Sequence, residues 1–284
     1  MGRTPELIAS YWTLAGDVTP FVGAGTSPHS FQSRVEAAAR AGYKGFGLHD
    51  RDLKLTVGRL GYPAMRAILA DNGIRYLEIE ALLDWFTEGE RRQQSDVARR
   101  DMLTAAEHLG VYQIKVAGDL HGGAWTIDVM ADAFRDLCRE AAEAGTRVSL
   151  EILPFSNVAD VSTGVSVVER TAGSNGGLLL DIWHFARGKL PYSDIATIPP
   201  PLIAAVEIDD GPADPVGPLL EDSIDNRLLC GEGAFDVPDF LGWILRSGYQ
   251  GPVGVEILSQ AHRARGLDEA ARASFDAAIR QFPG

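Results

Sequence analysis

Apolar residues along this chain follow two alternating rhythms. Between positions 126 and 144, Ile127, Met130, Ala131, Phe134, Leu137, Cys138 and Ala141 recur at steps of three and four, forming the single stripe of an amphipathic helix. Stretches 35–41 and 64–69 carry the same signature. Gly42, Gly73, Gly110, Gly145 and Gly248 each close such a stretch. A chain leaving a helix often turns there through a left-handed conformation that glycine adopts at little cost. The first four glycines lie 31, 37 and 35 residues apart, a fitting length for one strand plus one helix.

Between the helical stretches lie short apolar runs that read as strands: 45–48, 76–79, 112–116, 148–150, 177–180, 203–206 and 253–255. A first strand is expected near 11–14, which makes eight. Parallel neighbours need crossover helices, so strands alternating with helices predict a parallel sheet. Eight such units predict closure into a (β/α)8 TIM barrel. The 284 residues suit one barrel of roughly 250 residues with extensions. No linker or shift in composition divides the chain, so a single TIM-barrel domain is expected over 1–284.

Composition narrows the classes of partner. Hydrophobic residues make up 45% and charged residues 23%, as in ordinary globular proteins. A formal charge of −13 weighs against nucleic acid and anionic membranes, both of which reward basic patches. Cys138 and Cys230 fit no metal spacing and read as core residues in a reducing compartment. The opening Met1-Gly2-Arg3-Thr4-Pro5-Glu6 is followed by no long apolar run, and no stretch is long enough to span a membrane. A cytoplasmic location is expected.

Charged residues gather where the apolar runs end: His49-Asp50, Glu78 and Glu80, Lys115, Glu151, Asp181, Glu207 with Asp209-Asp210, and Glu256. Charge at the end of a buried run is costly without a partner. In this barrel class the strand C-termini converge on one face, where active sites sit. Glu151, Asp181, Glu207 and Glu256 are thus predicted to meet, although 105 residues separate the first from the last. Carboxylates that close repel one another unless a cation lies among them, so one divalent metal ion is expected. Taken singly, Glu78 and Glu80 read as salt-bridge or solvent residues. Lys115 either orients a substrate oxygen or pairs with a neighbouring carboxylate, and His49 is a further candidate substrate contact. Asp209 and Asp210 read as loop caps, and Asp236 as the N-cap of the following helix.

The segments Leu150-Glu151-Ile152, Leu180-Asp181-Ile182-Trp183-His184, Val206-Glu207-Ile208-Asp209-Asp210, Gly231-Glu232-Gly233 and Gly254-Val255-Glu256 resemble the sugar phosphate isomerase/epimerase superfamily. These xylose isomerase-like barrels include ketose 3-epimerases and inosose-processing enzymes. The resemblance implies a metal held by Glu151, Asp181, a third ligand and Glu256. The family often has His at the third position, and this chain has Glu207. An all-carboxylate set favours Mg2+ or Mn2+, with Co2+ and Zn2+ as alternatives. The resemblance also implies that Glu151 and Glu256 exchange protons with the substrate and that His184 touches a substrate oxygen.

The stretch 209–233 reads as an active-site loop. Within it Arg227 either holds substrate or pairs with Glu221 or Asp222. Trp12, Phe155 and Trp183 form either an apolar wall or core. The expected function is isomerisation or epimerisation of a keto sugar or polyol by proton transfer beside a carbonyl, through an enediolate. The runner-up is a lyase of the same barrel, dehydrating an inosose or 3-dehydroshikimate or cleaving a 3-keto glycoside. A nuclease is disfavoured by six histidines and the acidity, and a metal-free binding subunit is the non-catalytic alternative. The expected partner is a small sugar or cyclitol, and a homo-oligomer stays open because such barrels commonly associate.

Overall fold

Eight parallel strands hydrogen-bond in chain order and close on themselves as a barrel. They are β1 (Leu7–Ala9), β2 (Gly45–His49), β3 (Tyr76–Leu82), β4 (Gln113–Ala117), β5 (Arg147–Glu151), β6 (Gly176–Asp181), β7 (Ile203–Ile208) and β8 (Val253–Val255). The computed structural model describes residues 5–22, 25–171 and 175–283. The first four residues of the opening stretch lie outside it.

The strand expected at 11–14 is displaced: β1 lies at Leu7–Ala9, and Tyr11–Thr13 forms one 3-10 turn. The reason is local. Ser10 makes the last ladder bond, to the Val255 carbonyl at 3.1 Å, and the next N–H, that of Tyr11, bonds Glu80 Oε1 at 2.9 Å instead of a strand. Thr13 then closes the seam between β1 and β8. Its hydroxyl donates to the Val255 carbonyl at 2.7 Å and accepts from the Ile257 N–H at 2.9 Å, while His262 Nε2 reaches the Thr13 carbonyl at 3.0 Å.

Alternation along each strand decides what the barrel contains. Val148 and Leu150, Leu178 and Leu180, Val206 and Ile208, Val253 and Val255 all join the apolar core beneath the helices. The intervening positions, including Glu78, Glu80, Lys115, Glu151, Asp181, Glu207 and Glu256, belong to the opposite phase and fill the interior with charge. The helices cover the outside as their stripes predict. Ile127–Glu143 starts at Thr126, whose hydroxyl accepts from the Val129 N–H, and buries Phe134, Leu137 and Cys138. Phe134 and Cys138 press on β6 so closely that a methyl group at Gly176 would lie 2.3 Å from Cys138 Sγ. Asp236 caps Val237–Arg246 as expected, and Gly42, Gly73, Gly110, Gly145 and Gly248 all have positive φ.

The stretch 209–233 contains a short helix, Leu219–Asp225. Bridges Asp210↔Leu228 and Asn226↔Ser259 tie its return leg to the barrel. Among the described residues, no helix is long and apolar enough to cross a membrane.

Candidate metal centre

β5, β6, β7 and the residue after β8 deliver Glu151, Asp181, Glu207 and Glu256 to one place. Each offers a carboxylate oxygen, and these atoms all lie within 4.8 Å of one another. Opposed oxygens stand about 4.8 Å apart across a cation bound at about 2.4 Å, and a Mg2+-sized ion at about 2.1 Å would draw them in to about 4.2 Å. Gly254 makes room. Paired with Glu207 across β7 and β8, it has no side chain where a Cβ would sit 2.7 Å from Glu207 Cγ.

Each carboxylate is gripped through at least one oxygen by a protein donor. Glu207 Oε1 accepts from Lys115 Nζ and from Ser10 Oγ, both at 2.5 Å. Asp181 Oδ1 accepts from the Trp183 N–H at 2.7 Å, and its Oδ2 takes Arg227 Nη1 at 2.7 Å. Glu151 Oε1 lies 3.0 Å from His184 Nε2, and Glu256 Oε2 lies 3.2 Å from Arg227 Nη2. Outer donors of this kind orient metal ligands and leave their remaining lone pairs free. Glu207 Oε2 is buried and, among the described residues, has no hydrogen-bond partner. An orphaned carboxylate oxygen is expensive in a buried site, and a cation there would satisfy it. These residues therefore fit a divalent ion.

Charge in the site is unbalanced. Glu78, Glu80, Asp209 and the four carboxylates above make seven acids around two permanent cations, Lys115 and Arg227. Burial, and after it Glu78, Glu151 and Glu80, push the Glu207 carboxyl up to about 8 despite Lys115. Burial and then Glu207 raise Glu256 well above the usual carboxylate range. Asp181 stays low: burial opposes its charge, but Arg227 and His184 outweigh it.

Several sequence expectations change here. Glu78 and Glu80 are buried and pair with Lys115 at 2.9 and 2.7 Å, so neither is a solvent residue. Lys115 takes the ion-pair alternative. Arg227 pairs with neither Glu221 nor Asp222: its partners are Asp181, Asp209 and Glu256, while Asp222 binds Arg187 at 2.7 Å. Asp209 is likewise no loop cap, because it lies fully buried against Arg227. Asp210 does cap the loop, accepting from the Gly211, Gly231, Gly233 and Phe235 N–H groups. Trp183 is core, with no exposed surface.

The sequence profile of the xylose isomerase-like TIM barrel matches residues 35–277. The chain belongs to that family. Against curated relatives, this xylose isomerase-like barrel is 29% identical over 237 residues to a 3-dehydroshikimate dehydratase of Pseudomonas aeruginosa, covering 81% of this chain and 36% of that protein. It is 27% identical over 146 residues to an inosose isomerase of Halalkalibacterium halodurans, covering 51% of each. The chain thus spans about a third to a half of the length of these relatives. Among solved structures, an IolI protein with a bound zinc atom superposes with a TM-score of 0.84 at 18% identity, covering 97% of both chains.

A cavity of about 330 Å³ opens at the mouth of this family barrel. Glu151 and Glu256 line it, and Asp181 and Glu207 do not. His184, His49, Lys115 and Arg227 also reach it, as do Trp12 and Phe155, which take the wall alternative while Trp183 takes the core one. His49 Nδ1 lies 2.8 Å from Asp50 Oδ1. Sequence reading missed Ser10 and Gly254. Ser10 follows β1 and carries no signal of its own, and although Gly254 stands in the Gly254-Val255-Glu256 segment, only the register of β7 on β8 reveals why a glycine is there.

Proposed function

We propose that this chain is a divalent-metal-dependent enzyme that moves a proton at the carbon beside the carbonyl of a keto sugar or cyclitol, isomerising or epimerising it. One observation carries the reading. Of the four gathered carboxylates, Glu151 and Glu256 face the cavity, while Asp181 and Glu207 lie behind them. That division separates groups that only hold an ion from groups that also meet a substrate.

Glu151, Asp181, Glu207 and Glu256 would hold the ion, which when bound polarises the substrate carbonyl and absorbs charge as the neighbouring C–H bond breaks. Oxygen donors alone suit Mg2+ or Mn2+. Glu151 removes the proton, and Glu256 returns one to the opposite face or to the adjoining carbon. His184, fully buried against Glu151, fixes that carboxylate and offers an edge to a substrate hydroxyl. Trp12 and Phe155 cover the apolar face of the ring and exclude water. The partner is a small polyhydroxylated molecule and not nucleic acid, since the mouth presents an excess of acid.

A second reading, dehydration, is favoured by the match to the dehydratase over 81% of this chain. The same proton abstraction followed by loss of a β-hydroxyl gives that outcome. Purified protein loaded with Mn2+ or Mg2+, incubated in D2O with an inosose, 3-dehydroshikimate and ketohexoses and followed by NMR, separates the two. Deuterium beside the carbonyl of an isomerised or epimerised product supports the first reading, and loss of water supports the second. Protein that holds no divalent ion and exchanges no proton on any of these compounds overturns both.

A further inference from the structure

Behind the four metal-facing carboxylates lies a second acidic group. Glu78, Glu80 and Glu207 each supply an oxygen, again all within 4.8 Å of one another, and none of the three side chains is more than 4% exposed. The first and second groups share Glu207. Such an arrangement, two carboxylate sets bridged by one acid, is how paired metal ions about 3.5–4 Å apart are held. Here the second position is already filled by Lys115. Its Nζ stands 2.9 Å from Glu78 Oε1, 2.7 Å from Glu80 Oε2 and 2.5 Å from Glu207 Oε1. Its three protons serve Glu80, Glu207 and Ser10, while Glu78 Oε1 is held by charge alone, within ion-pair distance but without a hydrogen bond. Glu256 Oε1, at 3.8 Å, and Ser10 Oγ, at 3.3 Å, complete the shell.

We infer that Lys115 is a built-in cation that occupies the place of a second metal ion and so makes the centre mononuclear. The inference rests on the metal centre proposed above. Lys115 also positions the bridging residue. It and Ser10 take Oε1 of Glu207, which leaves Oε2, the buried oxygen without a hydrogen-bond partner, for the single ion. An ammonium on a strand cannot be stripped by a chelator, so the inner cation stays in place while the outer one exchanges. The departure of Glu207 from the histidine usual in the family has its reason here. An imidazole could not bridge an ammonium and a metal, whereas a carboxylate has an oxygen for each.

The test counts ions in the whole 284-residue chain. Wild type, Lys115→Ala, Lys115→Arg and the triple variant Lys115→Ala/Glu78→Gln/Glu80→Gln are equilibrated with Mn2+. Bound metal is measured by elemental analysis and by electron paramagnetic resonance. One Mn2+ per chain with the spectrum of an isolated ion is expected for wild type and for Lys115→Arg. Two per chain, with a signal broadened by interaction through Glu207, are expected for Lys115→Ala. The triple variant, which has lost the excess acid along with the lysine, returns to one.

A folded Lys115→Ala protein that holds one ion with an unbroadened spectrum overturns the inference, as does a wild type that holds two. A Lys115→Ala chain that Mn2+ fails to fold, beside a triple variant that folds, also overturns it, because the inner acids then accept an ammonium and no metal. Wild type without any bound Mn2+ is a different result, and it removes the metal centre itself.

Discussion

Glu151 and Glu256 differ from Asp181 and Glu207 in facing the cavity, and substitution can read that difference. Glutamine at either position would keep an oxygen for the proposed ion and remove the proposed proton-transfer group. Glu151→Gln and Glu256→Gln are each expected to lower kcat by roughly 10²–10⁴-fold while bound metal changes little, as turnover assays alongside metal analysis would show. His262 offers a separate test, of stability. Burial, which outweighs the bond to the Thr13 carbonyl, lowers its pKa to about 4. Below the ordinary value of about 6.5 the unfolded chain takes up a proton that the folded chain refuses, so stability is full above that pH and falls as pH drops towards 4. The loss reaches about 3 kcal/mol at the lower end. His262→Gln is expected to flatten this part of the acid limb relative to wild type in urea titrations run from pH 7 to 4. The gathering of Glu151, Asp181, Glu207 and Glu256 was legible in sequence because each ends an apolar run. The partners of Lys115 and Arg227 were not, since Lys115 meets Glu207 across 92 positions and Arg227 meets Asp181 across 46.

At the scale of elements, the helix Ile127–Glu143 shows how the barrel wall is specified. Its stripe and the glycine beyond its end both stand in the sequence and the structure bears them out, while the cap at Thr126 is added by the structure. What the stripe does not reveal is the closeness of its approach to β6. Gly176→Ala would drive a methyl group into Cys138 Sγ and the Phe134 ring, at 2.3 and 2.8 Å. A loss of about 1–3 kcal/mol is expected on thermal or urea unfolding, with the metal content of the folded protein preserved. β1 marks where pattern reading fails. The run 11–14 is apolar enough to pass for a strand, but a three-residue strand leaves little periodic signal, and Glu80 captures the N–H that would have continued it.

For the whole molecule, the formal charge of −13 acquires a location. Seven acidic residues against two permanent cations gather inside the barrel mouth, so part of the acidity that composition suggests belongs to the site and not to the surface. A bound ion should therefore stabilise the entire fold. At a free concentration 100 times its dissociation constant the gain is about 2.7 kcal/mol, so stripping the ion with a chelator is expected to lower Tm by roughly 5 °C, as calorimetry would detect. Closure in chain order was legible from eight repeated units, and the polar filling was legible only at the strand ends. The seam where Thr13 joins β1 to β8 has a bearing on biosynthesis. A ribosome releases Glu151, Asp181 and Glu207 well before Glu256, and the opening strand must wait beside an incomplete ring until the last one emerges. The nascent chain would therefore complete the proposed metal centre and its closed wall in the same late event.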